Sequence, residues 1–235
     1  MFSKQLISSL ALIGSSLADE IMMNLIPGLV PPEGTIWRGA TISSDGPLEG
    51  SWTYGTDPEV FEAYYNQPLH IYRSFNNLSN ADLTYEKDWI REKGGILWYS
   101  LQPKDWVAYG DGSKDDEIRM YAQILAEMKP HQIMMPVGYE PDLYVDVATE
   151  DDPDKRRGTA EDYKNMIRRF DTLFKEEEAT NVIWVMDYSW NIRDTPDLAV
   201  ELWPQDVEIG WLFFNMFQFV KIAASNGKGD CLGGF

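Results

Sequence analysis

A glutamate, Glu140, stands where a run of apolar residues ends. Residues 133–137 predict a short buried strand, and Gly138, Tyr139 and Glu140 follow it directly. In α/β barrels the reacting side chains lie at the carboxyl ends of the strands. A glutamate at that position can donate a proton and take it back, as a general acid and base. The alternative is a glutamate in a solvent-facing loop without a chemical role.

Asp187 is the nearest second carboxylate, because it directly follows the predicted strand 181–186. It could act together with Glu140 or serve only as a hydrogen-bond acceptor in a loop. Aromatic residues accompany the two acids at or near the ends of predicted strands: Trp98, Tyr99, Trp190 and Trp211. Rings at such positions can stack on sugars, and their alternative role is core packing. These residues define a candidate site for a neutral, hydroxyl-rich ligand.

Six strands must position these side chains. Apolar segments predict them at 35–42, 69–75, 95–101, 133–137, 181–186 and 208–214. Helices are predicted between them at 59–66, 82–93, 116–128 and 160–177, while 106–115 is expected to form a polar loop. The third of these strands follows a helix stop at Gly94, and Thr159 is the expected N-cap of the last helix.

Apolar strands that alternate with helices predict a parallel sheet covered on both faces. Such a sheet is either an open doubly wound sheet or a closed barrel. The nucleotide-binding open sheet needs a G-x-G-x-x-G turn after its first strand, and residues 39–46 do not contain one. The sequence therefore favours a (β/α)8 barrel of the TIM type, of which about six β/α units are visible.

Composition limits the partners. The 235 residues carry a formal net charge of −18, which argues against nucleic acid and anionic membranes as partners. Two histidines and one cysteine, Cys231, offer neither a zinc-site pattern nor an intrachain disulfide. We expect a monomer that acts on a polysaccharide or oligosaccharide and needs no cofactor or metal.

The amino terminus has the pattern of a secretory signal. Lys4 precedes an apolar run at 6–14, and Ser16-Leu17-Ala18 is a small-x-small cleavage site. We expect cleavage after Ala18, a secreted protein, and one domain at 19–235. The alternative is an amino-terminal helix or membrane anchor.

Several blocks of the sequence resemble glycoside hydrolase family 26, the β-mannanase family. The resemblance covers about residues 30–217. Its most specific parts are Gly138-Tyr-Glu140 and Thr180-Asn-Val-Ile-Trp184, and the other similar blocks are 106–112 with the helix after Asp115, 159–169 and 203–217. The resemblance implies a barrel with a retaining two-carboxylate mechanism, in which the two carboxyls lie about 5–5.5 Å apart.

Residue by residue, the resemblance assigns the acid/base role to Glu140. It implies substrate contacts for Tyr139, at a position often held by His in the family, for Trp106, and for Trp211 on the sixth strand. The family's nucleophilic glutamate ends a seventh strand, and no residue here matches it. The chain is therefore either truncated before that strand or a shortened relative.

Three functions remain open on these grounds. The first is a secreted β-mannan hydrolase, and the second is a non-catalytic relative that binds carbohydrate. The third is an α/β protein of another class, such as a polysaccharide lyase or a cell-surface component. A natural chain that continues beyond Phe235 with a strand ending in glutamate would favour the first.

Overall fold

The fold is taken from a computed structural model that describes residues 39–41, 58, 62–63, 66, 68–76, 83–145, 157–215, 218–222 and 230–234. The chain divides into the units Met1–Arg38 and Gly39–Phe235, and every described residue belongs to the second. The predicted signal peptide and most of the predicted helix 59–66 lie outside the described residues.

Six strands form one parallel sheet in chain order. They are β1 (Gly39–Thr41), β2 (Ile71–Asn76), β3 (Ile96–Leu101), β4 (Ile133–Met135), β5 (Val182–Ser189) and β6 (Ile209–Asn215). Every neighbouring pair runs parallel, so the predicted α/β class with a parallel sheet is confirmed. Among the described strands, β1 and β6 are the sheet edges, and closure into a barrel stays a prediction.

A two-stranded antiparallel sheet follows the parallel one. It contains β7 (Gln218–Ile222) and β8 (Asp230–Gly234), which includes Cys231. The sequence did not predict this hairpin. Since β7 pairs with β8 and not with β6, it is not the seventh strand of the parallel sheet.

Between β2 and β6 the described residues form five α-helices: α1 (Thr84–Lys93), α2 (Trp106–Gly110), α3 (Asp115–Ala126), α4 (Ala160–Glu176) and α5 (Pro196–Leu202). The prediction of a loop throughout 106–115 was wrong, because α2 begins there. Asp105 caps this helix by accepting a hydrogen bond from the Ala108 amide at 3.1 Å. Such a five-residue helix is too short to give a periodic apolar pattern.

Local signals set two of the helix ends as predicted. Thr159 and Asp162 form a reciprocal capping box at the start of α4, which satisfies two of the amide donors that a helix start leaves unpaired. Gly94 ends α1 in the left-handed conformation, with φ of 67°, where glycine has no Cβ to clash.

Alternate residues of the strands face opposite sides of the sheet. Tyr72, Tyr99 and Trp184 face the helices, where their rings meet Trp89, Tyr121 and Phe174. This helix-facing side forms the main apolar core. Arg73, Trp98, Ser100, Asp187 and Phe213 alternate with the core residues and contact one another on the other side. That second side carries the candidate site.

Candidate active site

Arg73 joins three strands at the carboxyl end of the sheet. Its Nη2 donates to Asp187 Oδ2 at 2.7 Å, and its Nε donates to Ser100 Oγ at 3.1 Å. Asp187 is only 1% exposed and Ser100 is fully buried. A buried carboxylate normally needs a paired cation, and Arg73 supplies it.

Aromatic rings surround the Arg73 guanidinium. Its carbon lies 4.5 Å from the ring centre of Phe75, 5.2 Å from that of Trp98 and 5.9 Å from that of Tyr139. Phe213 contacts Trp98 edge to face, with ring centres 4.9 Å apart. Phe75 remains 44% exposed, so the cluster has an open side that a ligand can reach.

Glu140 lies beside this cluster in an uncommon backbone conformation. Its φ and ψ of 53° and 48° are left-handed, which a side chain with a Cβ rarely adopts. The Glu140 amide donates to the Asp187 carbonyl oxygen at 2.6 Å, so the end of β4 is attached to β5. Left-handed backbone at a non-glycine residue costs about 1–2 kcal/mol. Neighbouring structure must offset that cost.

Gly138 allows the chain to reach this position. Its φ is +62°, and a Cβ there would lie 3.1 Å from the Tyr163 ring and 3.2 Å from the Met166 methyl group. Glycine is therefore required by conformation and by the close approach of α4. Two left-handed residues, Gly138 and Glu140, turn the chain sharply at the carboxyl end of β4.

The turn after Glu140 is held by a second contact with β5. Asp142, in the 3-10 helix Pro141–Leu143, accepts a 2.9 Å hydrogen bond from the Ser189 amide and another from the Ser189 hydroxyl. Together with the Glu140 amide, these bonds connect the segment after β4 to both ends of the tripeptide Asp187–Ser189. The carboxyl ends of β4 and β5 are thus fixed to each other.

Burial and charge change the acidity of two site residues. Burial raises the pKa of Asp187 to about 6 against the opposing effect of Arg73, and the negative charges of Glu140 and Asp142 add to the rise. Burial likewise raises the pKa of Tyr139. The carboxylate of Glu140 therefore lies within electrostatic range of both Asp187 and Tyr139.

The structure brings four of the predicted site residues together: Glu140, Tyr139, Trp98 and Asp187. Two more predicted residues, Trp211 and Trp190, lie on or directly after strands that carry the cluster. Trp211 is half-buried on β6, two residues before Phe213 and so on the same side of the sheet. Trp190 directly follows β5, is 38% exposed, and has the Arg193 guanidinium 3.4 Å from its ring centre.

Tyr99 and Trp106 do not belong to this cluster, so the expectation that they contact substrate needs correction. Tyr99 is fully buried on the helix-facing side, since alternation along β3 places it opposite Trp98. Trp106 is fully buried on α2, with its ring 5.0 Å from that of Tyr163. Both residues are part of the core.

Sequence reasoning missed five residues of the site: Phe75, Ser100, Asp142, Ser189 and Phe213. A signal existed for three of them. Phe75, Ser100 and Phe213 each lie two residues after another site residue of the same strand (Arg73, Trp98 and Trp211, respectively) and so share its side of the sheet. Asp142 and Ser189 carried no such signal, because their contact joins two separate turns.

Two kinds of site are absent from the part of the chain that the structure describes. No group of three or more His, Cys, Asp or Glu side chains there could hold a metal ion. No helix among those same residues is long and apolar enough to cross a membrane.

In comparisons with known proteins, no family model and no curated protein matched this sequence. Solved structures are similar over part of the chain. A GH26 β-mannanase from Bacteroides ovatus is 14% identical, with a TM-score of 0.48 over 65% of this chain and 53% of that one. The catalytic domain of a GH26 endo-β-1,4-mannanase from Bacillus sp. JAMB-750 is 13% identical, with a TM-score of 0.40 over 63% and 47%. The chain spans about half the length of each.

Proposed function

We propose that this protein is a secreted glycoside hydrolase that cleaves a β-linked, mannan-type polysaccharide with retention, with Glu140 as the general acid and base. One observation carries the proposal. The glutamate singled out by the sequence lies at the carboxyl end of a central strand of a parallel sheet, beside a buried carboxylate and an accessible group of aromatic rings.

Glu140 has a defined task in this chemistry. Its protonated carboxyl gives a proton to the glycosidic oxygen as that bond breaks and the anomeric carbon bonds to a second, nucleophilic carboxylate. Its carboxylate then takes a proton from the water that displaces the second product from that nucleophile. The fixed turn around Glu140 serves this task, because a proton donor works only when it is held within hydrogen-bond reach of the leaving oxygen.

We assign no nucleophile. Asp187 is the carboxylate attached to the Glu140 segment, but it is 1% exposed and its Oδ2 is bound to Arg73. A nucleophile must reach the anomeric carbon of the sugar, and this carboxylate has almost no surface from which to do so. The nucleophilic glutamate that the family resemblance implies on a seventh strand has no counterpart in the parallel sheet of the described residues.

The burial of Asp187 also favours a second function, binding of carbohydrate without hydrolysis. Such a protein needs the aromatic surface but not a second reactive carboxylate. The exposed faces of Phe75 and Trp190 would then supply most of the contact with the sugar rings. Binding with no turnover is the result that would distinguish this function.

The test is Glu140→Gln, assayed by release of reducing ends from a panel of mannan, xylan and mixed-linkage glucan. We expect hydrolysis of mannan by the wild type and a loss of several orders of magnitude in the variant, with binding retained. Glu178→Gln is the matched control, because Glu178 has φ of 57° and is exposed at the opposite end of the sheet. Hydrolysis by Glu140→Gln at the wild-type rate would remove Glu140 from the mechanism.

Secretion has its own test. The mature protein recovered from the medium should begin at Asp19, as measured by the intact mass and the amino-terminal peptide. A protein that keeps residues 1–18 would contradict the proposed signal peptide.

A further inference from the structure

Arg73 uses only one edge of its guanidinium group for bonds within the described part of the protein. The group has five N–H donors in one plane. Nε donates to Ser100 Oγ at 3.1 Å, and Nη2 donates to Asp187 Oδ2 at 2.7 Å. Because one N–H of Nη2 points in the same direction as the N–H of Nε, these two bonds occupy a single edge. The terminal edge, formed by Nη1 and the second N–H of Nη2, is not used by them.

A ligand can reach this terminal edge. The Arg73 side chain is 13% exposed. Nη1 makes no hydrogen bond to a described residue, and it is not among the buried polar atoms that lack a partner. Nη1 is therefore in contact with solvent, on the side of the sheet that carries the candidate site.

The guanidinium group is also held in place before any ligand binds. Its two hydrogen bonds fix its edge, and its carbon lies 4.5 Å from the ring centre of Phe75 and 5.2 Å from that of Trp98. A donor that is already immobilised loses little conformational entropy on binding. Phe75 is 44% exposed, so an apolar surface lies directly beside the free donors.

Two kinds of ligand present a pair of acceptor oxygens to such an edge: a carboxylate, and two hydroxyls on neighbouring carbons of a sugar ring. Asp187 already pairs with the Arg73 charge, and the negative charges of Glu140 and Asp142 act on the same position. The whole chain carries a net charge of −18. A further anion would be repelled here, so these surroundings favour the neutral pair of hydroxyls.

We propose that the terminal edge of Arg73 binds O2 and O3 of one sugar unit in a 1,4-linked chain, beside the exposed face of Phe75. This inference rests on the proposed function and narrows its substrate. A pyranose unit that is joined through O1 and O4 keeps both O2 and O3 free. A hexopyranose unit that is joined through O1 and O3 has no two free hydroxyls on neighbouring carbons. Arg73 is thus a residue that selects the linkage.

The test is calorimetric binding in a Glu140→Gln background, which stops turnover. The ligands are hexasaccharides of β-1,4-linked mannose, xylose and glucose, and one of β-1,3-linked glucose. In Arg73→Lys, the 1,4-linked ligand that binds most tightly should lose about tenfold in affinity. Lysine keeps a cation for Asp187 but has no second planar edge. Unchanged affinity in the folded variant would overturn the inference, as would equally tight binding of the 1,3-linked hexasaccharide when Arg73 is intact.

A matched anionic ligand separates hydroxyl from carboxylate recognition. The hexasaccharide of β-1,4-linked mannuronic acid has the linkage and ring configuration of mannan but carries a carboxylate at C6. It should bind more weakly than the mannose hexasaccharide. Tighter binding of the mannuronic acid ligand that is lost in Arg73→Lys would overturn the inference in favour of carboxylate recognition.

Two further variants control for changes in the protein. Arg169 on α4 donates to Asp115 through Nε and Nη2, so Arg169→Lys is a similar change among the helices and should leave the affinity unchanged. An equal loss there would overturn the inference. If Arg73→Lys does not fold, Arg73→Gln combined with Asp187→Asn replaces the ion pair with two amides and leaves no buried charge unpaired. The same loss of affinity is expected, and its absence would contradict the inference.

These affinities do not depend on hydrolysis. Weaker binding in Arg73→Lys, in a protein whose unsubstituted form hydrolyses none of the ligands, would support the inference and remove the proposed hydrolase function. Hydrolysis by the wild type, together with binding that does not depend on Arg73, would remove the inference alone. If no hexasaccharide binds, both are wrong.

Discussion

The backbone amide of Glu140 donates a 2.6 Å hydrogen bond to the carbonyl oxygen of Asp187. These residues are 47 positions apart in the sequence and end neighbouring parallel strands. The bond joins the left-handed backbone of Glu140 to the end of β5.

Glu140→Gly should remove hydrolysis and leave the protein more stable. Glycine adopts a φ of 53° without a steric cost, so the free energy of unfolding should rise by about 1 kcal/mol. Chemical denaturation followed by fluorescence measures this change. Glu178→Gly, at the exposed left-handed residue before β5, should give a similar gain with full activity. A clear loss of stability in Glu140→Gly would mean that side-chain contacts of Glu140 outweigh its backbone strain.

The pH dependence of stability should carry a contribution from Asp187. Its pKa in the folded state is about 6, above its ordinary value of 3.8, so the folded protein binds this proton more tightly than the unfolded chain does. Between pH 4 and 6 this group therefore makes the free energy of unfolding fall as pH rises. The full change is on the order of 3 kcal/mol, at about 1.4 kcal/mol per pH unit.

Many other carboxyls titrate in the same range, so the contribution of Asp187 is measured by comparing the wild type with a variant that lacks this carboxyl. The free energy of unfolding of the wild type minus that of Asp187→Asn should decrease from pH 4 to pH 6.5, because asparagine does not titrate. A flat difference would show that Arg73 cancels the effect of burial on the pKa of Asp187, and a rising difference that Arg73 outweighs it.

Ser189→Ala should reduce activity more than its cost in stability explains. Both the amide and the hydroxyl of Ser189 donate to Asp142, and the substitution removes the hydroxyl bond to that charged acceptor, at a cost of about 1.5–3 kcal/mol. With the turn after Glu140 less firmly held, kcat should fall at a temperature where the protein is fully folded.

Asn181→Ala is the matched control for Ser189→Ala. Asn181 precedes β5 at the other end of the sheet and donates to the Leu125 and His131 carbonyl oxygens, both at 3.0 Å. Its loss should destabilise the fold by a similar amount without changing kcat. Equal losses of kcat in the two variants would deny any positioning role to the bond between Asp142 and Ser189.

Phe75→Ala should affect ligand binding, whereas Tyr99→Ala should affect stability. Phe75 is 44% exposed beside Arg73, so its truncation should weaken oligosaccharide binding, measured by calorimetry, with little effect on stability. Tyr99 is fully buried against Tyr121, so its truncation should cost about 3–5 kcal/mol of stability and leave the affinity of the folded protein unchanged. Weaker binding in folded Tyr99→Ala would restore the original prediction that Tyr99 contacts substrate.

The sequence by itself determined the strands of the parallel sheet and drew attention to one candidate residue. Apolar runs located the six parallel strands, and local signals at Gly94 and Thr159 set two helix ends, because these features depend on neighbours within a few residues. Glu140 stood out for the same reason, since a strand end can be read from the residues that form it.

Only the tertiary structure decided which side chains meet. The ion pair between Arg73 and Asp187 spans 114 positions, and the contact between Asp142 and Ser189 spans 47. Trp98 and Tyr99 are adjacent in sequence, yet the pleat of β3 sends one to the site and the other to the core. The alternation of side chains along a strand determines that Trp98 and Tyr99 face opposite sides of the sheet. The packing of helices against one side decides which of the two a ligand can reach.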